Sequence, residues 1–280
     1  MDFLYNNTCL ECSELITKRY STSFSLGIRM FAKVLRKPIC GIYGFVRFAD
    51  EIVDTFHDFD KKELLDRFKS DTYKALDEGI SLNPVLHSFQ QVVHQYNIER
   101  ELIDAFLDSM YLDLDFTSYT PERLDEYIYG SAEVIGLMCL RVFVENDEEL
   151  YHDLKDPAKR LGAAFQKVNF LRDMKSDYLE RGRVYFPDIE FEHFTEEQKR
   201  LIEQDIEEDF DAAYAGIVRL PESARLGVYL AYRYYHKLFS KISYSPVALV
   251  KEERIRVPNR LKVILLAKST LRHRMNMLSR

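Results

Sequence analysis

The 280-residue chain is 46% apolar, enough to bury a sizeable core without disulfides or a structural metal. Its formal charge of −7 argues against a nucleic-acid-binding protein. Only 10 Gly and 8 Pro interrupt it, while 18 Tyr and 19 Phe supply rings for a core first and an apolar pocket second.

The N-terminal Met1-Asp2-Phe3-Leu4 has neither a basic stretch nor a long apolar run. No signal peptide is therefore expected, and the protein is placed in the cytoplasm. Cys9 and Cys12 form one C-x-x-C without a second pair or a nearby His; with Cys40 and Cys139 they are read as reduced structural thiols. Apolar residues at three- and four-residue spacing predict helices over 61–76, 98–114, 121–144, 156–179, 196–219 and 222–240. Thr120-Pro121 reads as an N-cap followed by a first-turn proline, and Thr195 with Gln198 as a capping box. Breaks fall near 79–84, 182–187, 220–221 and 244–246, each too short for an interdomain linker. Strand-like alternation does not persist, so one all-α domain over 1–280 is expected.

The apolar runs 134–140 and 263–267 are too short to span a bilayer. From 251 to 280, nine Lys and Arg face two Glu, with Leu261, Ile264, Leu265, Leu271, Met275 and Leu278 at helical spacing. This tail is read as a docked helix with a solvated basic face, the alternative being peripheral contact with the inner face of an anionic membrane.

Two segments carry chemistry. Asp50 and Asp54 are four residues apart, as are Asp173 and Asp177, and Asn169 extends the second row by a turn. On a helix this spacing puts each set on one face. Most such pairs are solvated faces. Here both lie in apolar helices, Ile42 to Val53 around one and Val168 to Met174 around the other, where charges need partners. If the rows face each other, four carboxylates converge, an arrangement that calls for a hard cation such as Mg²⁺ sharing its shell with phosphate oxygens. Arg47, Arg172, Arg183 and Tyr185 accompany the rows and suit phosphate; for any one Arg an ordinary salt bridge is an equal reading. Asp113 and Asp115 are expected to be solvated, and the seven His show no ligand spacing.

These residues resemble the squalene/phytoene synthase family. Tyr20-Ser21-Thr22-Ser23-Phe24 is similar to its N-terminal S-x-S-F element, and Tyr43 to Asp54 to its first aspartate-rich motif. Tyr127 to Met138 resembles its central helix. Gln166 to Asp177, continuing through Gly182-Arg183-Val184-Tyr185-Phe186-Pro187, resembles its second motif and the R-x-Y-x-P behind it. Arg254-Ile255-Arg256-Val257-Pro258 is similar to a basic element near its C-terminus. Two positions depart from the pattern: Glu133 stands where a small residue is usual, and Tyr20 where a polar or small one is.

The resemblance implies an isoprenoid-synthase helical bundle around a central cavity, working with Mg²⁺ or Mn²⁺ and without NADPH. By carry-over, Asp50, Asp54, Asn169, Asp173 and Asp177 hold the metals, and Arg47, Arg172, Arg183 and Tyr185 meet diphosphates. Ser21, Phe24, Tyr43, Tyr129 and Gln166 line the site, with Tyr129 among its catalytic residues. Phe24, Phe45, Phe48, Phe165 and Phe170 offer ring faces to a cation, though core packing is the better reading for most. The implied reaction condenses two geranylgeranyl diphosphates head to head into phytoene through a cyclopropylcarbinyl diphosphate, in carotenoid biosynthesis. The alternatives are squalene or dehydrosqualene formation from farnesyl diphosphate, a terpene cyclase or chain-elongating prenyltransferase, and a non-catalytic assembly factor.

Overall fold

The computed structural model describes residues 3–115 and 119–275, and among these thirteen α-helices and no strand. The protein is all-α, as its periodicity predicts. The first three helices are α1 (Phe3–Tyr20), α2 (Thr22–Ile28) and α3 (Lys33–Asp54). α4 (Lys61–Glu78), α5 (Pro84–Tyr96) and α6 (Arg100–Asp115) pack around α3, and α1 lies along α3 and α5. Phe45 of α3 is fully buried and stacks on Phe89 at 3.9 Å and Phe68 at 5.5 Å, so this ring belongs to the core.

The predicted helix over 121–144 is one run with a fault in it: α7 (Pro121–Ile128), a π-turn at Tyr129–Glu133, then α8 (Val134–Phe143). One extra residue per turn costs hydrogen-bond geometry and re-aims side chains. It lies against α9 (Glu148–Arg181) in a backbone-to-backbone approach. A Cβ on Gly162 would sit 2.7 Å from the Ala132 carbonyl oxygen, and one on Gly136 would sit 2.8 Å from that of Ala158.

α9 begins eight residues before the predicted start at 156, capped by Asp147 accepting from the Leu150 amide. Pro157 therefore lies inside the helix, where proline ordinarily breaks or kinks it. Packing overrides it: Pro157 fits against Gly216, with Leu154 and Tyr151 buried ahead of it. α9 ends at Gly182, whose φ of 65° suits glycine and turns the chain back.

α10 (Glu196–Ile217) opens on the predicted capping box of Thr195 and Gln198. α11 (Glu222–Ser243), α12 (Val247–Glu252) and α13 (Asn259–Arg274) complete the chain. α13 docks on α11 through buried Leu265 and Ser269, while Val263, Ile264, Leu271 and Met275 face outward. The expected tail residue Leu278 lies outside the described residues. Among the described residues no helix is long and apolar enough to cross a membrane. All four cysteines are free thiols.

Candidate active site

Helices α2, α3, α8, α9, α10 and α11, with the π-turn, enclose a cavity of about 280 Å³. Apart from the Cys139 thiol, only Ser131 and Gln166 bring polar side chains to its wall. Gln166 Nε2 donates to Ser131 Oγ at 3.3 Å, and the Ser131 hydroxyl donates to the Tyr127 carbonyl at 2.6 Å. Burial pushes the Cys139 thiol up to about 12, so it stays protonated and inert.

Two helices carry the wall into a polar region. On α9 the face through Gly162 and Gln166, which line the cavity, continues to Asn169, Asp173 and Asp177. On α3 the face through Ile39, also in the wall, continues to Tyr43, Arg47, Asp50 and Asp54. In both helices the acid lies on the C-terminal side of the cavity.

Tyr235 of α11 packs on α9 beside its acidic face, and sequence reasoning missed it because no motif surrounds it. Its ring stacks on cavity-lining Phe165 at 3.9 Å. Burial raises its hydroxyl above the ordinary phenol range, opposed by Arg172 and by a hydrogen bond with Asn169, while Tyr234 and Asp173 raise it further. Tyr43 is likewise raised, first by burial; Arg47 opposes this, Asp50 adds to it, the Ser21 hydrogen bond opposes it, and Tyr235 adds to it. A second stacked pair, Phe24 on Tyr43 at 4.9 Å, stands at the same boundary on the α2–α3 side. Ser21 caps α2, its hydroxyl accepting from the Phe24 amide at 3.1 Å.

One aspartate of each row is paired with arginine. Arg47 pairs with Asp50 at 3.3 Å and Glu51 at 2.5 Å, its guanidinium 4.6 Å from the ring of Tyr20, one of the two departing residues. Asp173 receives both Arg172, at 2.5 Å, and Arg254 of the C-terminal segment, at 2.7 Å. The basic element at 254–258 therefore reaches the second acidic row, a contact that sequence similarity alone leaves open.

Arg183 and Tyr185, expected to meet diphosphates, lie in a buried cluster. Both are buried, and Arg183 NH1 donates to Asp113 Oδ1 at 3.0 Å and to the Tyr185 hydroxyl at 3.3 Å. Asp113, expected to be solvated, is 6% exposed and also accepts from the Tyr127 hydroxyl at 2.9 Å. The physical reason is tertiary: a carboxylate at the end of α6 meets a guanidinium 70 residues away and is buried with it. The Asp115 side chain lies outside the described ones. Tyr129 starts the π-turn, 37% exposed, with Lys159 Nζ 5.5 Å from its ring centroid, and is not among the cavity-lining residues. Glu133, the other departure, pairs with Lys159 at 3.2 Å and leaves the wall to its small neighbours Ala132 and Gly136.

Among the described residues no three His, Cys, Asp or Glu side chains stand together as a ready-made metal site. One atom nevertheless fits a hard cation: Asn169 Oδ1 is buried with no hydrogen-bond partner, on the same face as Asp173. An amide oxygen beside carboxylates is the donor chemistry of Mg²⁺ with phosphate.

The model of the squalene/phytoene synthase family matches residues 17–261. The chain belongs to this family. Its squalene/phytoene synthase relatives include a 4,4'-diapophytoene synthase of Staphylococcus haemolyticus, 26% identical over 68% of this chain and 66% of that protein. A phytoene synthase of Mycobacterium tuberculosis is 26% identical over 74% of this chain and 66% of that protein. The matched region thus spans a little under two thirds of these relatives' length. A solved dehydrosqualene synthase in complex with ligand superposes with a TM-score of 0.81 at 23% identity, covering 98% of this chain and 99% of that one. A squalene synthase from Alicyclobacillus acidocaldarius gives 0.75 at 20% identity, over 87% and 97%. The bundle around the cavity is the fold of these squalene and dehydrosqualene synthases.

Proposed function

We propose that this protein is a prenyltransferase that joins two prenyl diphosphates head to head and releases diphosphate. The observation that carries the reading is the change of character along one face of α3 and one of α9, from apolar wall to acidic row. A substrate with a long hydrocarbon tail and an anionic head matches such a site at both ends. The cavity, walled by helices from α2 to α11, supports the reading of residues 1–280 as one domain.

Asp50, Asp54, Asn169, Asp173 and Asp177 are the residues that would hold Mg²⁺, or Mn²⁺ in its place. Bound there, the metal supplies the positive charge that turns a diphosphate into a leaving group. Arg47 and Arg172 add to it by exchanging a carboxylate for phosphate oxygens, where a guanidinium fork binds at two points. The apolar wall keeps water from the allylic cation that remains. The pairs Phe24–Tyr43 and Phe165–Tyr235, at the border of wall and acid, place ring faces where that cation forms. Ser21 and Gln166 fix the border itself, one by capping α2, the other through Ser131. Tyr129 starts the π-turn, a feature frequent at functional sites, and we keep it as a catalytic residue.

For substrate we assign geranylgeranyl diphosphate and for product phytoene, formed through a cyclopropylcarbinyl diphosphate without NADPH, in carotenoid biosynthesis. Relatives named phytoene synthase and the central-helix block 127–138 support this. The relative named 4,4'-diapophytoene synthase favours a second reading, farnesyl diphosphate giving dehydrosqualene or squalene. A non-catalytic assembly role is disfavoured by the intact aspartates in both rows. Incubation with Mg²⁺ and either prenyl diphosphate, with and without NADPH, separates these readings. Phytoene from geranylgeranyl diphosphate alone is expected, and no hydrocarbon from either substrate would refute the enzyme.

A further inference from the structure

The run Gly182-Arg183-Val184-Tyr185 does more than follow the second acidic row, because it folds back against it. Gly182 takes the left-handed conformation that reverses the chain, and the Arg183 amide donates to the Asp177 carbonyl at 3.0 Å. Tyr185 then stacks on Phe170 at 4.0 Å, and Phe170 is seven residues before Asp177 on the same face of α9. The Tyr185 hydroxyl is raised by burial first and by the charges of Asp113 and Asp177 besides, so it stands within the field of both.

What fixes this turn is the Arg183–Asp113 pair. NH1 donates to Asp113 Oδ1 at 3.0 Å and to the Tyr185 hydroxyl at 3.3 Å, and NH2 donates to the Asp113 carbonyl. The other carboxylate oxygen takes the Tyr127 hydroxyl at 2.9 Å, and Tyr127 stacks on Tyr185 at 5.5 Å. Arg183 is 8% exposed and Asp113 6%. Drawing Arg183 out to meet a diphosphate would strand a carboxylate in an aromatic core, a strongly unfavourable change.

We infer that Asp113 and Arg183 form a buried charge clamp, linking the end of α6 to the end of α9, that holds Asp177 in register with Asp173. Arg183 is a positioning residue and not a diphosphate ligand. The inference rests on the metal-binding reading of the acidic row and adds Asp113, which no motif marks.

The test measures binding of inorganic pyrophosphate to the full chain by calorimetry over a Mg²⁺ titration, for the parent, Asp113→Asn, Arg183→Gln and the double variant. Each single change is expected to raise the Mg²⁺ midpoint about 10-fold or more, as loss of an outer-shell support does. The double variant is expected to be no worse than the poorer single, since either change opens the same clamp. Were Arg183 a ligand, Arg183→Gln would weaken pyrophosphate binding equally with or without Asp113, and the clamp would be refuted. Lower melting temperatures with an unchanged Mg²⁺ midpoint would also refute it, leaving a purely structural ion pair. A parent that fails to bind pyrophosphate with Mg²⁺ would overturn the metal reading and the clamp together. Should the single variants not fold, Tyr127→Phe removes one hydrogen bond from Asp113 and keeps both charges; an unchanged midpoint there counts against the clamp.

Discussion

Asn169 buries an amide oxygen that no donor meets, one helical turn from a carboxylate already shared by two arginines. An orphaned acceptor beside a crowded charge is tolerated where a cation completes the set. Replacing Asp50 or Asp173 by Asn is expected to cut turnover by orders of magnitude and to leave the far-ultraviolet dichroism unchanged; near-normal activity in both would end the metal assignment. Elsewhere His87 sets a limit on stability. It is fully buried beneath Tyr5, its Nδ1 accepting from the Ser81 amide at 3.2 Å, so the proton sits on Nε2 against Asn6 Oδ1 at 2.9 Å. Burial lowers its pKa below 6.5, so the unfolded chain binds the proton first as pH falls. The His87 contribution is therefore complete above pH 6.5 and is lost as pH falls through the lower folded value. Melting temperature should decline over that range, and His87→Gln should flatten the decline; an equal decline in the variant would exonerate His87.

Among the elements, α9 decides the site, and its placement depends on contacts that only small residues allow. Gly162 and Gly136 bring α9 and the π-turn region to backbone contact beside the cavity. Gly162→Val is expected to destabilise the protein by about 1–3 kcal/mol through overpacking, seen as a lower melting temperature. It should also shrink the cavity, so the longer prenyl substrate should lose more activity than the shorter. Equal loss for both would mean that Gly162 does not shape the tail pocket. The sequence marks the C-terminal half of α9 clearly, because apolar spacing and the aspartate row coincide there. It misses residues 148–155 ahead of Pro157 and gives no hint of the π-turn, since both depend on what packs against them.

For the whole molecule, charge is unevenly shared: the basic C-terminal segment reaches the acidic row through Arg254, and α13 turns Ile264, Leu271 and Met275 outward beside Arg260 and Lys268. The alternative reading of this tail, peripheral contact with an anionic membrane, is a proposal open to test. Co-sedimentation with phosphatidylserine-containing vesicles is expected to fall with added salt and with Ile264→Ser/Leu271→Ser, and to be absent with neutral vesicles; binding indifferent to both changes would dismiss the face. What the sequence determined by itself was the local order: helices from apolar periodicity, caps from Thr120 and Thr195, and acidic rows from four-residue spacing. Those are set by neighbours within a turn or two. Only the tertiary structure decided which charges are partners and which rings meet beside the cavity: Asp113 with Arg183, Arg254 with Asp173, Tyr235 with Phe165. Those pairings span 70 residues in the first case and 81 in the second, and a one-dimensional pattern carries no record of which distant groups share a low-dielectric interior.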